Sequence, residues 1–338
     1  MINIGLIGYG YWGPNLARNF SRLADCRLAA ICDSSPSRQQ LAAIEYPQAF
    51  VTDDYEQLLK RPDIDAVAIA TPVSYHYGLA KAALMAGKHL LVEKPLAETS
   101  AQALELVELA ERKNLVLAVD HTFLFTGAVR KIKQLLDAGT LGELLYIDSV
   151  RINLGLFQKD VNVLYDLAPH DLSIVGHLVG EPPLTVQAMG ACHARQGQEN
   201  IVYLHLEYPG DLLAHFHLSW LAPVKIRKTL LAGTNKMIVY DDLDQAEKVK
   251  VYDKGITVEE DINSLHNIKV DYRTGDMLAP KLSHREALSL EAEHFRDCVL
   301  GREKPLSSGR DGLAVVRILE AAQLSLSQGG AKISVETD

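Results

Sequence analysis

The sequence predicts an α/β protein in which a doubly wound parallel sheet is followed by an α+β domain with an open, mostly antiparallel sheet. Two observations predict the first half: a glycine-rich turn near the start of the chain, and an alternation of apolar runs with helical segments up to residue 121. The second half follows from apolar runs joined by short loops beyond residue 121. We therefore expect two domains, 1–122 and 123–338, and leave open whether the last helix, about 312–328, packs back on the first domain.

The glycine-rich turn lies within the first sixteen residues, MINIGLIGYGYWGPNL. Gly8, Gly10 and Gly13 follow an apolar run with the spacing GxGxxG. In such a turn the first glycine makes the tight bend, the second lets backbone approach a pyrophosphate, and the third lets the helix press on the strand. A second apolar run, 28–32, ends in Asp33, 20 residues beyond Gly13, where these folds place the acid that binds a ribose 2′-hydroxyl. The pattern predicts a dinucleotide-binding Rossmann domain.

The other predicted elements follow in order. In the first domain we expect helices at 37–44, 75–85 and 100–113, and buried strands at 66–70, 89–92 and 115–119. In the second domain a helix at 128–137 precedes strands at 144–153, 186–193, 201–208, 212–220, 224–231 and 237–241, and helices at 287–299 and 312–327 close the chain. The stretch 254–284 has no clear periodicity, which predicts a mobile arm or a binding loop.

Composition and charge exclude several classes of function. The formal net charge is −9 and the isoelectric point is near 5.7, which argues against nucleic acid as a partner. The apolar stretches are shorter than the roughly 18 residues of a membrane helix. The first predicted strand begins at Ile2, so we expect no targeting peptide, no membrane contact and a cytoplasmic protein. The four cysteines lack CxxC spacing, and His215 and His217 alternate with apolar residues, so no metal site or disulfide framework is expected.

Lys94 is the first candidate for chemistry. Ligands of open α/β sheets bind beyond the carboxyl ends of the strands, and Lys94 follows the predicted strand 89–92. Burial beside a cofactor can tune a lysine there for acid–base catalysis. The same position also suits an ordinary lysine that opens a turn before Pro95. Position alone leaves both interpretations open.

The segment from Tyr165 to Asp171 holds a second candidate pair. Asp166 and His170 are four residues apart, so on a helix they share one face and the carboxylate can orient the imidazole. Pro169 is compatible with such a helix if it lies in the first turn. The alternative is a helix-capping Asp166 beside an ordinary histidine.

Four motifs occur in a fitting order along the chain: the GYGYWGPN turn, Ala70-Thr71-Pro72, Glu93-Lys94-Pro95, and the DLAPHD segment from Asp166 to Asp171. Together they resemble the glucose-fructose oxidoreductase and inositol dehydrogenase family (Gfo/Idh/MocA). The resemblance covers essentially the whole chain. It implies a Rossmann domain followed by an open-faced sheet domain that assembles a homodimer or homotetramer, and a cis peptide bond before Pro95.

The resemblance also implies roles for individual residues. Lys94 would touch both the nicotinamide ribose and the substrate hydroxyl, His170 would be the general acid/base, and Asp166 would orient the substrate or the imidazole. Whether Lys94 or His170 takes the proton stays open. The residues expected to bind the cofactor are Gly8, Gly10, Tyr11, Trp12, Gly13, Asp33, Ser34, Arg38, Thr71, Pro72, His76, Glu93 and Lys94. The residues expected to bind the substrate are Lys94, His121, Arg151, Asn153, Asp166 and His170.

The cofactor is expected to be NAD, with NADP possible. Asp33 would hydrogen-bond an adenosine ribose and repel a 2′-phosphate, whereas Arg38, at the start of the following helix, would favour a 2′-phosphate.

The substrate is expected to be a nucleotide sugar. The GYWGPNLARNF start and the stretch 151–171 most resemble the branch that acts on nucleotide-linked sugars, including enzymes that oxidise C3 of a UDP-N-acetylglucosaminuronate. Arg151, Asn153, Lys159 and Arg227 would contact its hydroxyl, carboxylate or diphosphate groups, or are ordinary surface residues. Two alternatives remain: a free-sugar or inositol dehydrogenase of the same family, and a non-catalytic protein that senses a dinucleotide or a sugar.

Overall fold

The computed structural model describes residues 1–155, 161–193, 197–253, 255–259 and 269–336, and describes residues 255–259 and 269–273 by their backbone alone. Two units emerge from the contacts within the chain. The first comprises Met1–Thr126 and Arg285–Glu320, and the second comprises Gly127–His284 and Ala321–Asp338. The sequence-based division at residue 122 placed the later residues in the second domain and left open whether the last helix packs back on the first, whereas 285–320 belong to the first unit.

The first unit contains a six-stranded parallel sheet in the order β3-β2-β1-β4-β5-β6. Its strands are β1 (Ile2–Ile7), β2 (Cys26–Cys32), β3 (Phe50–Thr52), β4 (Ala66–Ile69), β5 (His89–Glu93) and β6 (Leu117–Asp120). The central strands are buried along almost their whole length, as their unbroken apolar sequences predict. This confirms the doubly wound parallel sheet. The three-residue strand β3 was not predicted.

Five helices connect these strands: α1 (Gly13–Arg22), α2 (Pro36–Glu45), α3 (Tyr55–Leu59), α4 (Val73–Met85) and α5 (Ser100–Arg112). Proline at the first turn starts α1 and α2, because its missing N–H and fixed φ suit that position. The hydroxyl of Thr99 accepts from the backbone N–H of Gln102 and caps α5. The helices α2, α4 and α5 agree with the predicted segments to within two residues, whereas α3 was not predicted.

The second unit is built around a nine-stranded mixed sheet in the order β16-β13-β12-β11-β7-β10-β9-β8-β17. Its elements are α6 (Gly127–Asp137), β7 (Leu144–Leu154), α7 (Val163–Val179), β8 (Thr185–Ala191), β9 (Ile201–Glu207), β10 (Leu213–Ser219), β11 (Leu221–Gly233), β12 (Met237–Asp241), β13 (Val249–Tyr252), β16 (Met277–Leu278) and β17 (Ile333–Ser334). Among the pairings described within this nine-stranded sheet, only that of β7 with β10 is parallel. The predicted mostly antiparallel sheet is therefore confirmed.

Within the stretch predicted as an arm or binding loop, β14 (Gly255–Glu259) pairs with β15 (Lys269–Arg273) as a separate antiparallel ribbon. Residues 254 and 260–268 of that stretch lie outside the described residues, so its role stays a prediction.

Two late helices, α8 (Ala287–Val299) and α9 (Gly309–Ser327), precede β17. Leu288, Ala292 and Phe295 of α8 join the apolar cluster around β1, in which the rings of Phe20 and Phe295 meet edge to face with centroids 6.1 Å apart. The returning segment therefore closes the core of the first unit. In the described part of the chain, no helix has both the length and the apolar character needed to cross a bilayer.

Candidate active site

Each glycine of the glycine-rich turn has the environment that its position requires. Gly8 has φ of +96°, and a Cβ atom there would lie 2.5 Å from the carbonyl oxygen of Ala70. A Cβ at Gly13 would lie 2.1 Å from the carbonyl oxygen of Gly8, so this glycine lets α1 pack closely on the turn. A Cβ at Gly10 would meet nothing within 4 Å. Gly10 therefore faces open space that a ligand can enter, which fits a bound dinucleotide.

Asp33 anchors the turn that surrounds it. One carboxylate oxygen accepts from the backbone N–H of Tyr9 at 2.6 Å, and the other accepts from that of Ser35 at 2.8 Å. These contacts fix the carboxylate between the glycine turn and the start of α2, and each oxygen keeps further acceptor capacity for a ribose hydroxyl. Ser34 and Arg38 are exposed beside it, and Tyr11 is 90% exposed.

Trp12 links the glycine turn to the end of β6. It is the N-cap of α1 and provides no side-chain cap to the helix. Its indole N–H instead donates to Asp120 at the end of β6, at 2.7 Å. The sequence placed Trp12 among the cofactor residues but did not identify Asp120, because the partners are 108 positions apart.

His76, another residue expected to bind the cofactor, has a buried ring that contacts two backbone carbonyl groups. Its ring is 1% exposed, with Nε2 2.8 Å from the carbonyl oxygen of Thr71 and Nδ1 2.9 Å from that of Pro95. Burial lowers the pKa of His76, although both carbonyls oppose the shift. The hydroxyl of Thr71, next to the exposed Pro72, is buried and meets no partner among the described residues. Such an orphaned hydroxyl fits a polar group of a bound cofactor.

Lys94 directly follows β5, and its peptide bond to Pro95 is cis, as expected. The backbone N–H of Lys94 donates to the carboxyl of Glu93 at 2.9 Å. Burial, and then the neighbouring Asp120, raise the pKa of Glu93 well above its usual range. Lys94 itself is half-buried at the carboxyl end of the sheet, the edge at which ligands of such folds bind.

His121 lies deeper than the sequence suggested. It is 1% exposed, its Nδ1 is 2.9 Å from the hydroxyl of Ser307, and burial lowers its pKa to about 4. The ring is therefore neutral at neutral pH. Its Nε2 is buried and meets no partner among the described residues, and its binding of substrate stays a prediction.

In the second unit, Asp166 and His170 lie on one face of α7. Asn162 caps the helix by accepting from the backbone N–H of Tyr165 at 3.2 Å. The helix begins at Val163, so Pro169 lies in its second turn rather than in the first, and the helix nevertheless continues to Val179. Asp166 accepts from the indole N–H of the buried Trp220 at 3.0 Å, which fixes its carboxylate.

The other predicted substrate residues have different environments. Arg151 is 5% exposed and makes a bidentate ion pair with Asp171, at 2.7 and 2.8 Å. The pair joins β7 to α7 next to His170, so Arg151 has a structural partner, and its contact with substrate stays a prediction. Arg227 pairs with Asp242 at 3.3 Å. The side-chain oxygen of Asn153 is buried without a partner among the described residues, as a substrate-binding amide would be. Lys159 lies outside the described residues.

The predicted site residues thus form two sets. The expected cofactor residues, with His121, lie in the first unit along the carboxyl edge of its sheet. Arg151, Asn153, Asp166 and His170 lie in the second unit on β7 and α7.

Comparison with known proteins identifies the family. The model of the oxidoreductase family with an NAD-binding Rossmann fold matches residues 2–121, and that of the GFO/IDH/MocA C-terminal domain matches residues 129–239. The uncharacterized oxidoreductase YdgJ of Escherichia coli (strain K12) is 32% identical over 74% of each chain. The chain belongs to the Gfo/Idh/MocA oxidoreductase family. Its first unit is accordingly an NAD-binding Rossmann domain.

Other Gfo/Idh/MocA relatives carry more specific names. A UDP-N-acetylglucosamine 3-dehydrogenase of Acidithiobacillus ferrooxidans is 28% identical over 94% of each chain. A scyllo-inositol 2-dehydrogenase (NADP(+)) of Bacillus subtilis is 26% identical over 96% of this chain and 93% of its own. Among solved structures, a putative oxidoreductase from Magnetospirillum magnetotacticum has a TM-score of 0.81 at 28% identity, covering 95% of this chain and 99% of that one.

Proposed function

We propose that this oxidoreductase uses NAD to oxidise a secondary alcohol of a nucleotide sugar, at C3 of a substrate resembling UDP-N-acetylglucosaminuronate. The observation that carries the proposal is the carboxyl edge of the parallel sheet, where the glycine turn, Asp33 and Lys94 follow β1, β2 and β5. The UDP-N-acetylglucosamine 3-dehydrogenase matched along 94% of each chain supports the choice of sugar and carbon.

The protein's own part in this reaction is to move a proton and orient an alcohol. Bound NAD supplies the hydride acceptor, so the substrate C–H electrons and hydrogen leave as hydride. We propose that Lys94 and His170 act together to remove the hydroxyl proton. Asp166, whose carboxylate is fixed by Trp220, is proposed to orient the alcohol or the imidazole. General-base catalysis of this kind contributes about 10²- to 10⁴-fold to the rate.

The direct test is a substrate panel followed at 340 nm with NAD. The panel contains UDP-N-acetylglucosamine, UDP-N-acetylglucosaminuronate, glucose, myo-inositol and scyllo-inositol. We expect turnover of a nucleotide sugar and release of a 3-keto product. Turnover of inositol or free glucose alone would contradict the proposed substrate while leaving the dehydrogenase chemistry intact.

Variants then assign the proton. Lys94→Ala and His170→Ala are each expected to reduce kcat by about 10²- to 10⁴-fold, and the base is the residue whose loss removes the acidic limb of the pH profile. Lys113→Ala is a matched control, since Lys113 is an exposed lysine that follows α5. Unchanged turnover in both active-site variants would exclude the assignment.

An inositol dehydrogenase is the second candidate. It is favoured by the scyllo-inositol 2-dehydrogenase relative, which matches 96% of this chain. Both candidates use the same proposed catalytic residues, so the panel above separates them by the substrate that is turned over.

We further propose that the protein is a homo-oligomer in the cytoplasm, where nucleotide sugars and NAD occur. One face of the nine-stranded sheet supports an assembly surface, because large apolar side chains on neighbouring strands are exposed there: Tyr146, Met189, Tyr203 and Leu213. Light scattering of the purified protein tests this, and Leu213→Glu is expected to release monomers. A monomeric wild-type protein would refute it.

A further inference from the structure

Three carboxyl groups lie close together beneath the carboxyl edge of the first unit. Glu93 and Asp120 are register partners at the ends of β5 and β6. Glu291, on α8, is carried to them by the segment that returns to the first unit. Asp120 and Glu291 are each 2% exposed. Like charges so placed in the interior cannot all ionise near neutral pH.

Asp120 has the hydrogen-bond pattern of an ionised carboxylate. One oxygen accepts from the indole N–H of Trp12 at 2.7 Å, and the other accepts from the hydroxyl of Thr122. A carboxylate is acceptor-only, and both of its oxygens are used here as acceptors. Asp120 thereby holds the indole of Trp12, the N-cap residue of the first helix after the glycine turn.

Glu291 has the environment of a protonated carboxyl. Its carboxyl is within hydrogen-bonding reach of the Asp120 carboxylate and of the Thr122 hydroxyl, and the charged groups that act on it are Asp120 and Glu93. A buried carboxylate with only acidic neighbours is strongly unfavourable, so the group retains its proton. Burial first, and then Asp120, raise the pKa of Glu291 well above its usual range.

We propose that Glu291 is a positioning residue for dinucleotide binding. Its neutral carboxyl packs beside Asp120 and leaves that carboxylate directed at Trp12, which holds the glycine turn in place. When Glu291 ionises, its charge repels Asp120 and loosens the contact with the indole. The other titratable groups that act on this cluster are Lys94 at the end of β5, and His121 after β6, which is neutral at neutral pH. The inference rests on the proposed use of NAD.

The first test measures the dissociation constant of NADH, by its fluorescence, between pH 6 and pH 10. Wild-type affinity is expected to be constant near neutrality and to fall about tenfold at alkaline pH, the size of one lost hydrogen bond to a charged group. Glu291→Gln cannot ionise and is expected to bind equally well across the range. Glu293→Gln is the control, because Glu293 lies on the same helix in a part-exposed ion pair with Arg285, and it should behave as wild type.

The second test needs no cofactor. The chain has two tryptophans, Trp12 and Trp220, so 5-fluorotryptophan labelling gives two ¹⁹F resonances that Trp12→Phe assigns. The Trp12 resonance is expected to titrate at alkaline pH in the wild type and not in Glu291→Gln, while Trp220, in the second unit, reports no change. Asp120→Asn removes the charge that an ionised Glu291 would repel, and it is expected to abolish the alkaline loss of NADH affinity.

The outcomes separate the two levels of the proposal. If Glu291→Gln keeps the alkaline loss of affinity and the Trp12 titration, Glu291 is not the group responsible and the inference is overturned. If Glu291→Gln does not fold, an alkaline loss of NADH affinity that persists in Asp120→Asn overturns it instead. If wild-type protein binds no NADH at any pH, the proposed cofactor fails and this inference fails with it. Sugar turnover enters none of these measurements, so a wrong substrate leaves them interpretable.

Discussion

Replacing Asp171 by asparagine is expected to destabilise the second unit by about 3–5 kcal/mol. Arg151 and Asp171 are both buried, and the two nitrogens that contact the carboxylate lie 2.7 and 2.8 Å from its oxygens. The asparagine keeps the shape but removes the charge, so a guanidinium is left in the interior without its counter-charge. Since Asp171 follows His170 on α7, we also expect a lower kcat.

Urea unfolding followed by tryptophan emission measures this loss. In a Trp12→Phe background the signal comes from Trp220, which is fully buried in the second unit. Asp63→Asn is the matched control, because the ion pair of Asp63 with Arg61 is part-exposed and should contribute about 0–1 kcal/mol. The double variant Arg151→Met/Asp171→Leu is expected to recover most of the stability, since it leaves no unpaired charge. A loss of under 1 kcal/mol in Asp171→Asn would refute the reasoning.

Three further predictions concern the first unit. Gly13→Ala is expected to lower the free energy of unfolding by about 1–3 kcal/mol, because the new Cβ overpacks against the backbone of Gly8. Gly10→Ala is expected to change stability by under about 0.5 kcal/mol and to weaken NAD binding. Melting curves with and without NAD measure both effects. Asp33→Asn should reduce the preference for NAD over NADP about tenfold in kcat/KM, and equal values for the wild type would contradict a dominant role for Asp33. His121 has a folded-state pKa of about 4, below its unfolded value, so the unfolded chain binds more protons than the folded chain between pH 6.5 and 4. The free energy of unfolding is therefore expected to fall by about 3 kcal/mol as the pH drops through that window. Urea unfolding at each pH measures this, and His121→Gln should lack this part of the acid sensitivity.

Much of the fold could be predicted from local patterns. A strand buried on both faces has an unbroken apolar sequence, as in AVAI of β4, and glycine spacing identifies the turn before α1. The misses are elements whose formation depends on tertiary contacts. Strand β3 has three residues and exists because β2 pairs with it, and α7 passes through Pro169 because that residue is buried within its unit.

The candidate site was less predictable than the fold. Sequence motifs identify the residues whose roles follow from their positions along the chain, such as Gly8, Asp33 and Lys94. Asp120 has no such motif, since its importance comes from the indole of Trp12, 108 residues away. Arg151 is of a residue type that often contacts ligands, and only the structure reveals that its guanidinium already pairs with Asp171. Glu291 could not be found without knowing that α8 returns to the first unit.

The return of residues 285–320 has a consequence for how the chain is made. Phe20, Leu28 and Ala118 belong to a core that Leu288, Ala292 and Phe295 complete, so an emerging nascent chain holds an unfinished apolar surface until α8 leaves the ribosome. The second unit, inserted between residues 126 and 285, is synthesised almost entirely before the first can finish folding. Truncating the chain at residue 284 would therefore remove part of the first unit, although that unit begins at Met1.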